Sequence, residues 1–325
     1  MDINYEALTT DWFDRAMGTG PQGGKWKPKH HLDLYRPWPE QYVVDFNQPF
    51  NPFAFAINAC ALASACKIQG PSKVILDQID YLDLAASIYT DTLGNHNYIR
   101  NDFSFPMYWA TMKKPFYGAF MNAYTAYGYI RIFEATHDEK HLNKALKLIS
   151  TITSNDTKLK LSEKDSRGDL WLYEYVFTPL ETDAEHFKKL GTETQPDGTM
   201  RFRIYNGHIG ALIALLKFRK LTNMGFVDET IEQALLTMSK NLGSQLLDNQ
   251  FFSYSIEAPQ LPDYGQARAV HLAKQLSEAT DDEQLKLTYQ AFDKFYRESI
   301  KDREKEVYTA GRATARELYS PLKSM

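Results

Sequence analysis

The feature that most restricts the fold of this chain is a succession of apolar segments at helical spacing, arranged in pairs and joined by aromatic-rich connections. Asn51 can cap a helix that has Pro52 at its first position, with the apolar run Phe53 to Ala65 following and Gly70-Pro71 near its end. A second helix is predicted from Ser72 to about Leu93, its apolar positions being Val74, Ile75, Ile79, Leu82, Leu84, Ala86 and Ile88. The same period returns over Tyr117 to Ala135, Lys140 to Thr153, Asn206 to Leu221, Asp228 to Leu247, Gly265 to Ala279 and Asp281 to Glu298. Thr280 and Glu283 have capping-box spacing, and Asp281-Asp282-Glu283 suits the positive end of a helix. Lys301 to Arg316 is charged and reads as a solvated terminal helix. No tight repeat is present, which excludes a solenoid of identical modules. Paired helices with their connections at one end predict an all-α fold, an α/α toroid or incomplete α/α barrel. Gly118, Ala119, Gly128 and Gly210 are small enough for its inner helices to approach closely.

Two stretches depart from that period. Tyr98 to Met112 alternates aromatic and polar residues and predicts a small β-hairpin insert. Residues 1–50 carry Gly18-Thr19-Gly20-Pro21, Tyr35-Arg36-Pro37-Trp38-Pro39 and Asn47-Gln48-Pro49, a density of Pro and aromatics that predicts an extended N-terminal arm packed on the domain. The organisation expected is therefore an arm over 1–50 and one helical domain over 51–325.

Composition narrows the function classes. Net charge is −4 with no lysine- or arginine-rich tract, so nucleic acid is not an expected partner. No stretch is long enough to span a membrane, and Met1-Asp2-Ile3-Asn4-Tyr5-Glu6 lacks the basic and apolar regions of a signal peptide, so the expected location is cytoplasmic. Cys60 and Cys66 fall on different faces of one predicted helix and are read as buried, unpaired thiols. No His or Cys spacing suggests zinc, and His30-His31 reads as a loop pair; neither metal nor cofactor is expected. Aromatic residues are 14% of the chain, with 20 Tyr and 19 Phe. Sugar-binding clefts, interfaces and cores all use aromatic faces, so this leaves those readings side by side.

The candidate chemistry is concentrated in Asp169 to Leu216. Leu170-Trp171-Leu172-Tyr173-Glu174-Tyr175 sets a carboxylate between two phenols. Tyr205-Asn206-Gly207-His208-Ile209-Gly210 reads as a helix entered through Asn206. Tyr254, in Phe252-Ser253-Tyr254-Ser255-Ile256, and Tyr264, in Leu261-Pro262-Asp263-Tyr264-Gly265, are expected at the same place.

These segments, taken in order, resemble the C-terminal catalytic domain of D-glucuronyl C5-epimerases. Phe116-Tyr117-Gly118-Ala119-Phe120-Met121-Asn122-Ala123 resembles that family's aromatic-Tyr-small-Ala helix start, and Arg131 the arginine further along. Trp171 to Tyr175 resembles its Trp-Tyr-Glu-Glu-Tyr segment, Asn206-Gly207 its Asn-Gly at an inner helix, and Asp263-Tyr264 its Asp-Tyr pair. The likeness runs over roughly Pro115 to Arg297. It implies that Glu174, Tyr175, Tyr254 and Tyr264 are catalytic, and that Tyr117, Asn122 and Asn206 bind substrate. Glu257 stands where the family usually has an arginine, Gly265 and Arg268 stand in place of histidines, and residues Leu180 to Arg201 look inserted. That insertion, with its Pro196-Asp197-Gly198 turn, predicts a mobile lid.

The implied reaction is C5-epimerisation of a uronic acid residue, glucuronate to iduronate in type. A weakly acidic C–H beside a carboxylate loses its proton and regains one on the opposite face. Such chemistry needs two acid/base groups and positive charge for the enolate-like intermediate. Arg203, Arg268 and Lys113 are candidate carboxylate clamps, arginine being able to engage both oxygens. The expected partner is a uronate-containing saccharide or another small acidic substrate, and a homodimer is compatible with the sequence. A lyase begins with the same deprotonation; an α/α-barrel hydrolase would use paired carboxylates such as Glu174 with Asp263; a non-enzymatic binding module would leave Tyr175 and Tyr264 apart. A cytosolic epimerase of a peptide or nucleotide sugar fits the same residues.

Overall fold

Pro52 lacks an N–H that a first helical turn would leave unpaired. It opens Pro52–Gln69 (α1), the first helix of a computed structural model that describes residues 3–4 and 52–319, apart from 103, 108–109, 180–183, 186, 189–191, 193 and 264. Asn51 and nearly all of the expected arm lie outside the described residues; Ile3 forms a β-bridge with Thr280. Ser72 caps Lys73–Ile88 (α2), its hydroxyl accepting the Ile75 N–H at 3.4 Å. That helix ends earlier than its apolar pattern suggests, because Thr90–Leu93 (β1) turns at Gly94 and pairs antiparallel with His96–Ile99 (β2). Its inward residues are Ile75, Ile79, Ala85 and Ala86, whereas Val74, Leu84 and Ile88 are exposed.

Phe105–Met107 (β3) and Ala110–Met112 (β4) make a second hairpin, so the single insert expected over Tyr98 to Met112 is divided between two. Phe116–Tyr117 (β5) then leads into Ala119–Thr136 (α3), and Asp138 caps Glu139–Thr153 (α4) through the Lys140 N–H at 3.0 Å. Ser162–Lys164 (β6) pairs with Leu170–Leu172 (β7). Tyr175–Phe177 (β8) lies between β5 and Met200–Phe202 (β9) in a three-stranded antiparallel sheet. Next come Tyr205–Thr222 (α5), Asp228–Asn241 (α6), the short pair Leu246–Leu247 (β10) and Phe251–Phe252 (β11), then Gln266–Ala279 (α7), Glu283–Phe295 (α8) and Glu304–Tyr319 (α9).

The described chain is mostly helical with small sheets at the connections. Its helices fall into two kinds. In α3 every residue from Ala119 to Ile132 is buried, and in α5 every residue from Tyr205 to Phe218. Helices apolar on all sides belong in a core, whereas α4, α6 and α8 each bury a single stripe and expose the rest. Helix α3 packs on α1, α4 and α5, and α5 in turn meets α7. The α1–α3 contact is close because Gly128 has no side chain: a Cβ there would sit 2.7 Å from the Phe55 ring. Cys60 and Cys66 are buried and are not disulfide-bonded among the described residues. Among the described residues no helix is long and apolar enough to cross a membrane.

Four local expectations change. Asn206 is inside α5 rather than at its cap, which is Ile204. Asp282, not Thr280, caps α8, accepting the Leu285 N–H at 2.8 Å. The terminal helix is not wholly solvated, since Gly311 lies against Pro262 and Phe251, and Ala315 is buried. The inserted segment is anchored at its described residues, which does not suit a free lid. Phe187 is buried between Phe177 and Phe202, Met200 to Phe202 complete the sheet, and the buried Arg201 pairs with Glu163 and Asp197. Apolar residues flanking a polar turn carry the segment into the core, and the turn at residues 195–199 stays on top.

Candidate active site

Glu174 occupies the two-residue step between β7 and β8, and its neighbours leave it little choice of position. The Ala119 N–H donates to the Tyr173 carbonyl at 2.8 Å, and a Cβ on Gly118 would lie 1.9 Å from the Glu174 carbonyl oxygen. On the preceding strand the Leu172 N–H donates to Nδ1 of His208 at 3.0 Å; the Nε2–H of His208 then donates to the Ala234 carbonyl at 3.2 Å. An imidazole used as acceptor on one side and donor on the other is neutral, and burial pushes its pKa down to about 4. The carboxylate itself lies over Gly207 of α5. A Cβ there would come within 2.4 Å of both the Cβ and Oε2 of Glu174, so only glycine leaves room.

Around this buried carboxylate the structure brings together two of the tyrosines. The Tyr254 hydroxyl donates to Oε1 at 3.4 Å, and the Tyr175 and Tyr254 hydroxyls are 3.4 Å apart. Tyr175 also hydrogen-bonds the carboxylate. Among the described residues Oε2 has no hydrogen-bond partner. Burial pushes the Glu174 pKa up to about 7; Asp263 adds to the rise, while Tyr175, Arg268 and Tyr254 oppose it. Asp263 is fully buried, with one oxygen held by the Gly265 N–H at 2.9 Å and the other, Oδ2, unpartnered among the described residues. Burial takes its pKa up to about 6, against the lowering by Arg268 in the first turn of α7. Two carboxyl groups near neutrality, phenols in hydrogen-bond reach and a guanidinium acting on both carboxyls can accept and return protons.

Other candidates are employed elsewhere. Arg203 donates through Nε to Glu257 at 2.7 Å and through Nη1 to Asp165 at 3.1 Å. Glu257, standing at the family's usual arginine, is thus the acidic half of a structural ion pair. Asn122 is fully buried and saturated: Oδ1 accepts the Ile99 N–H at 2.8 Å, and Nδ2 donates to the Asn97 and Leu148 carbonyls. It fastens β2 to α3 rather than facing a cleft. Tyr117 donates to Asp91 at 2.8 Å, and burial raises its pKa. Asn206, next to Gly207, is buried, its Oδ1 unpartnered among the described residues. Lys113 is exposed on the connection between β4 and β5. Tyr264 lies outside the described residues. A residue the sequence did not single out is Tyr124 of α3, buried and within electrostatic reach of both Glu174 and Arg268. On a helix buried all round, one tyrosine among Tyr124, Tyr127 and Tyr129 carries no distinguishing pattern.

Residues 93–294 match the family described as D-glucuronyl C5-epimerase C-terminus. The chain belongs to this family. That span contains Glu174, Tyr175, Tyr254, Asp263 and Arg268, and it makes the protein an isomerase-type carbohydrate enzyme. A solved structure titled "Crystal structure of D-mannose isomerase" shares the fold, with a TM-score of 0.53 and 13% sequence identity, covering 90% of this chain and 74% of the other. No curated protein matches the chain.

Proposed function

We propose that this C5-epimerase family member inverts C5 of a uronic acid residue, glucuronate to iduronate in type, by proton removal and return on opposite faces. The observation that supports it is the Glu174 carboxylate: buried, with one oxygen unpartnered among the described residues, and held by phenols from two separate elements. As carboxylate it takes the C5 proton, and the electron pair moves into the substrate carboxyl group. Arg268, whose charge acts on both Glu174 and Asp263, would stabilise the negative charge that develops. Tyr175 and Tyr254 orient the base. Tyr264 is assigned the opposite face on the family resemblance. The scaffold in this reading is an incomplete α/α barrel forming a single domain, with α1, α3, α5 and α7 inside and α2, α4, α6 and α8 outside.

A second reading is proton transfer on a neutral sugar. It draws on the locking of Arg203 by Glu257 and Asp165, which leaves two buried carboxyls facing the charge of Arg268. Incubation in deuterated water with a glucuronate-bearing disaccharide and with D-mannose, read by NMR, separates the two. Deuterium at uronate C5 supports the first reading and an iduronate signal completes it. Exchange at C2 of the neutral sugar alone overturns it in favour of the second, and an unsaturated ultraviolet-absorbing product would identify a lyase.

A further inference from the structure

Helix α5 offers two adjacent glycine positions on one face, Gly207 and Gly210, which at a spacing of three residues lie about 5–6 Å apart. The first receives Glu174. The second receives the hydroxyl of Tyr124: a Cβ on Gly210 would lie 3.0 Å from that oxygen and 2.8 Å from the Phe120 ring. The Tyr124 ring is fixed against Phe120 at 4.2 Å between centroids, one turn earlier on α3. Two residues from different elements thus bring a carboxylate and a phenol to neighbouring places on α5. At the first of these places Oε2 of the buried Glu174 is unpartnered among the described residues, as a ligand-facing oxygen would be.

Resting on the proton-transfer function above, we propose that Tyr124 is a further catalytic residue: its hydroxyl, beside Gly210, donates a hydrogen bond to the substrate oxygen that gains charge when Glu174 removes the carbon-bound proton. The C–H bond breaks, the proton goes to Glu174, and the electron pair enters the conjugated carboxyl or carbonyl oxygen. Tyr124 forms no covalent bond and keeps its own proton. Its surroundings suit that division of work. Burial raises the phenol pKa, Arg268 opposes the rise and Glu174 adds to it, so the group stays an O–H donor while Glu174 titrates near neutrality. A donor aimed at developing charge in a site closed to water contributes roughly 10²–10³-fold in turnover.

The test uses the full chain with D-glucuronate, a glucuronate-bearing disaccharide and D-mannose as probes. Tyr124→Phe keeps the ring on Phe120, so melting should change little, while C–H exchange in deuterated water should fall by about 10²-fold with KM nearly unchanged. Incorporating 3-fluorotyrosine at 124, a stronger donor, should move the rate without altering the fold, which a packing role would not do. Protein labelled at tyrosine Cζ, with the signal assigned through Tyr124→Phe, reports contact independently of turnover. Exchange that Tyr124→Phe leaves within twofold overturns the assignment while the function stands. A Tyr124 signal that no probe displaces also overturns it. Displacement by a probe in a protein that exchanges no C–H retains the contact and refutes the reaction instead.

Discussion

Two buried glutamates, Glu174 and Glu257, show how the same side chain is put to opposite uses. Glu257 is enclosed by its partners: the Arg203 backbone N–H reaches both its oxygens at 3.1 Å and the guanidinium reaches Oε1 at 2.7 Å. Among the described residues Glu174 receives only phenols, one of them at 3.4 Å, and keeps Oε2 without a donor. Burial raises the pKa of both, but only at Glu257 does an arginine in direct contact oppose it. A satisfied buried charge holds structure; an unsatisfied one holds reactivity.

The sharpest way to break this comparison is Glu174→Gln. C–H exchange should fall by about 10³-fold, since no base remains. Stability should move the other way. The folded pKa of about 7 exceeds the unfolded value of 4.5, so the folded state binds the proton more tightly between those values. That contribution is fully present below about pH 4.5 and is lost as pH rises through 7. Removing the charge should therefore stabilise the protein at pH 8 by up to about 3 kcal/mol and have little effect at pH 4. Chemical denaturation of both proteins at the two pH values checks it; a variant less stable at pH 8 would contradict the account.

The counterpart is Arg203→Met, which strips Glu257 of its cation. The expected loss is about 3 kcal/mol at pH 8, shrinking toward pH 5 as Glu257 takes a proton. Exchange activity measured well below the new melting temperature should change by less than tenfold. A loss of activity as deep as that of Glu174→Gln would return Arg203 to the substrate site.

Why these two glutamates could not be told apart in the sequence is a matter of partners. The motif around Trp171 to Tyr175 is local, and so are the helical periods of α3 and α5; both were legible because burial on all faces leaves runs of apolar and small residues. Arg203 and Glu257 are 54 residues apart, and nothing in either segment says that they meet. The same holds for Tyr124 and Gly210, which only the packing of α3 on α5 brings together. Asn206 suggests a cap because Asn favours that place, but the strand-like Ile204, bridged to Ser255, starts the helix two residues earlier. Phe187 was hidden by the polar turn that follows it.

The smallest expected effects sharpen the comparison within the site itself. Tyr254 holds Glu174 by one long hydrogen bond, which favours the ionised carboxylate, whereas the Asp263 charge disfavours it. Tyr254→Phe should therefore move the acidic limb of the pH–rate profile upward from about 7, and Asp263→Asn should move it downward, each by less than about one unit. Opposite shifts, read from kcat/KM of exchange between pH 5 and 9, would show that Glu174 is the group whose titration is observed. Shifts of the same sign would mean that one of the two substitutions acts by moving the backbone. For Tyr254 that is the natural suspect, because its carbonyl accepts the Tyr205 N–H at the start of α5, two residues before the glycine on which Glu174 rests.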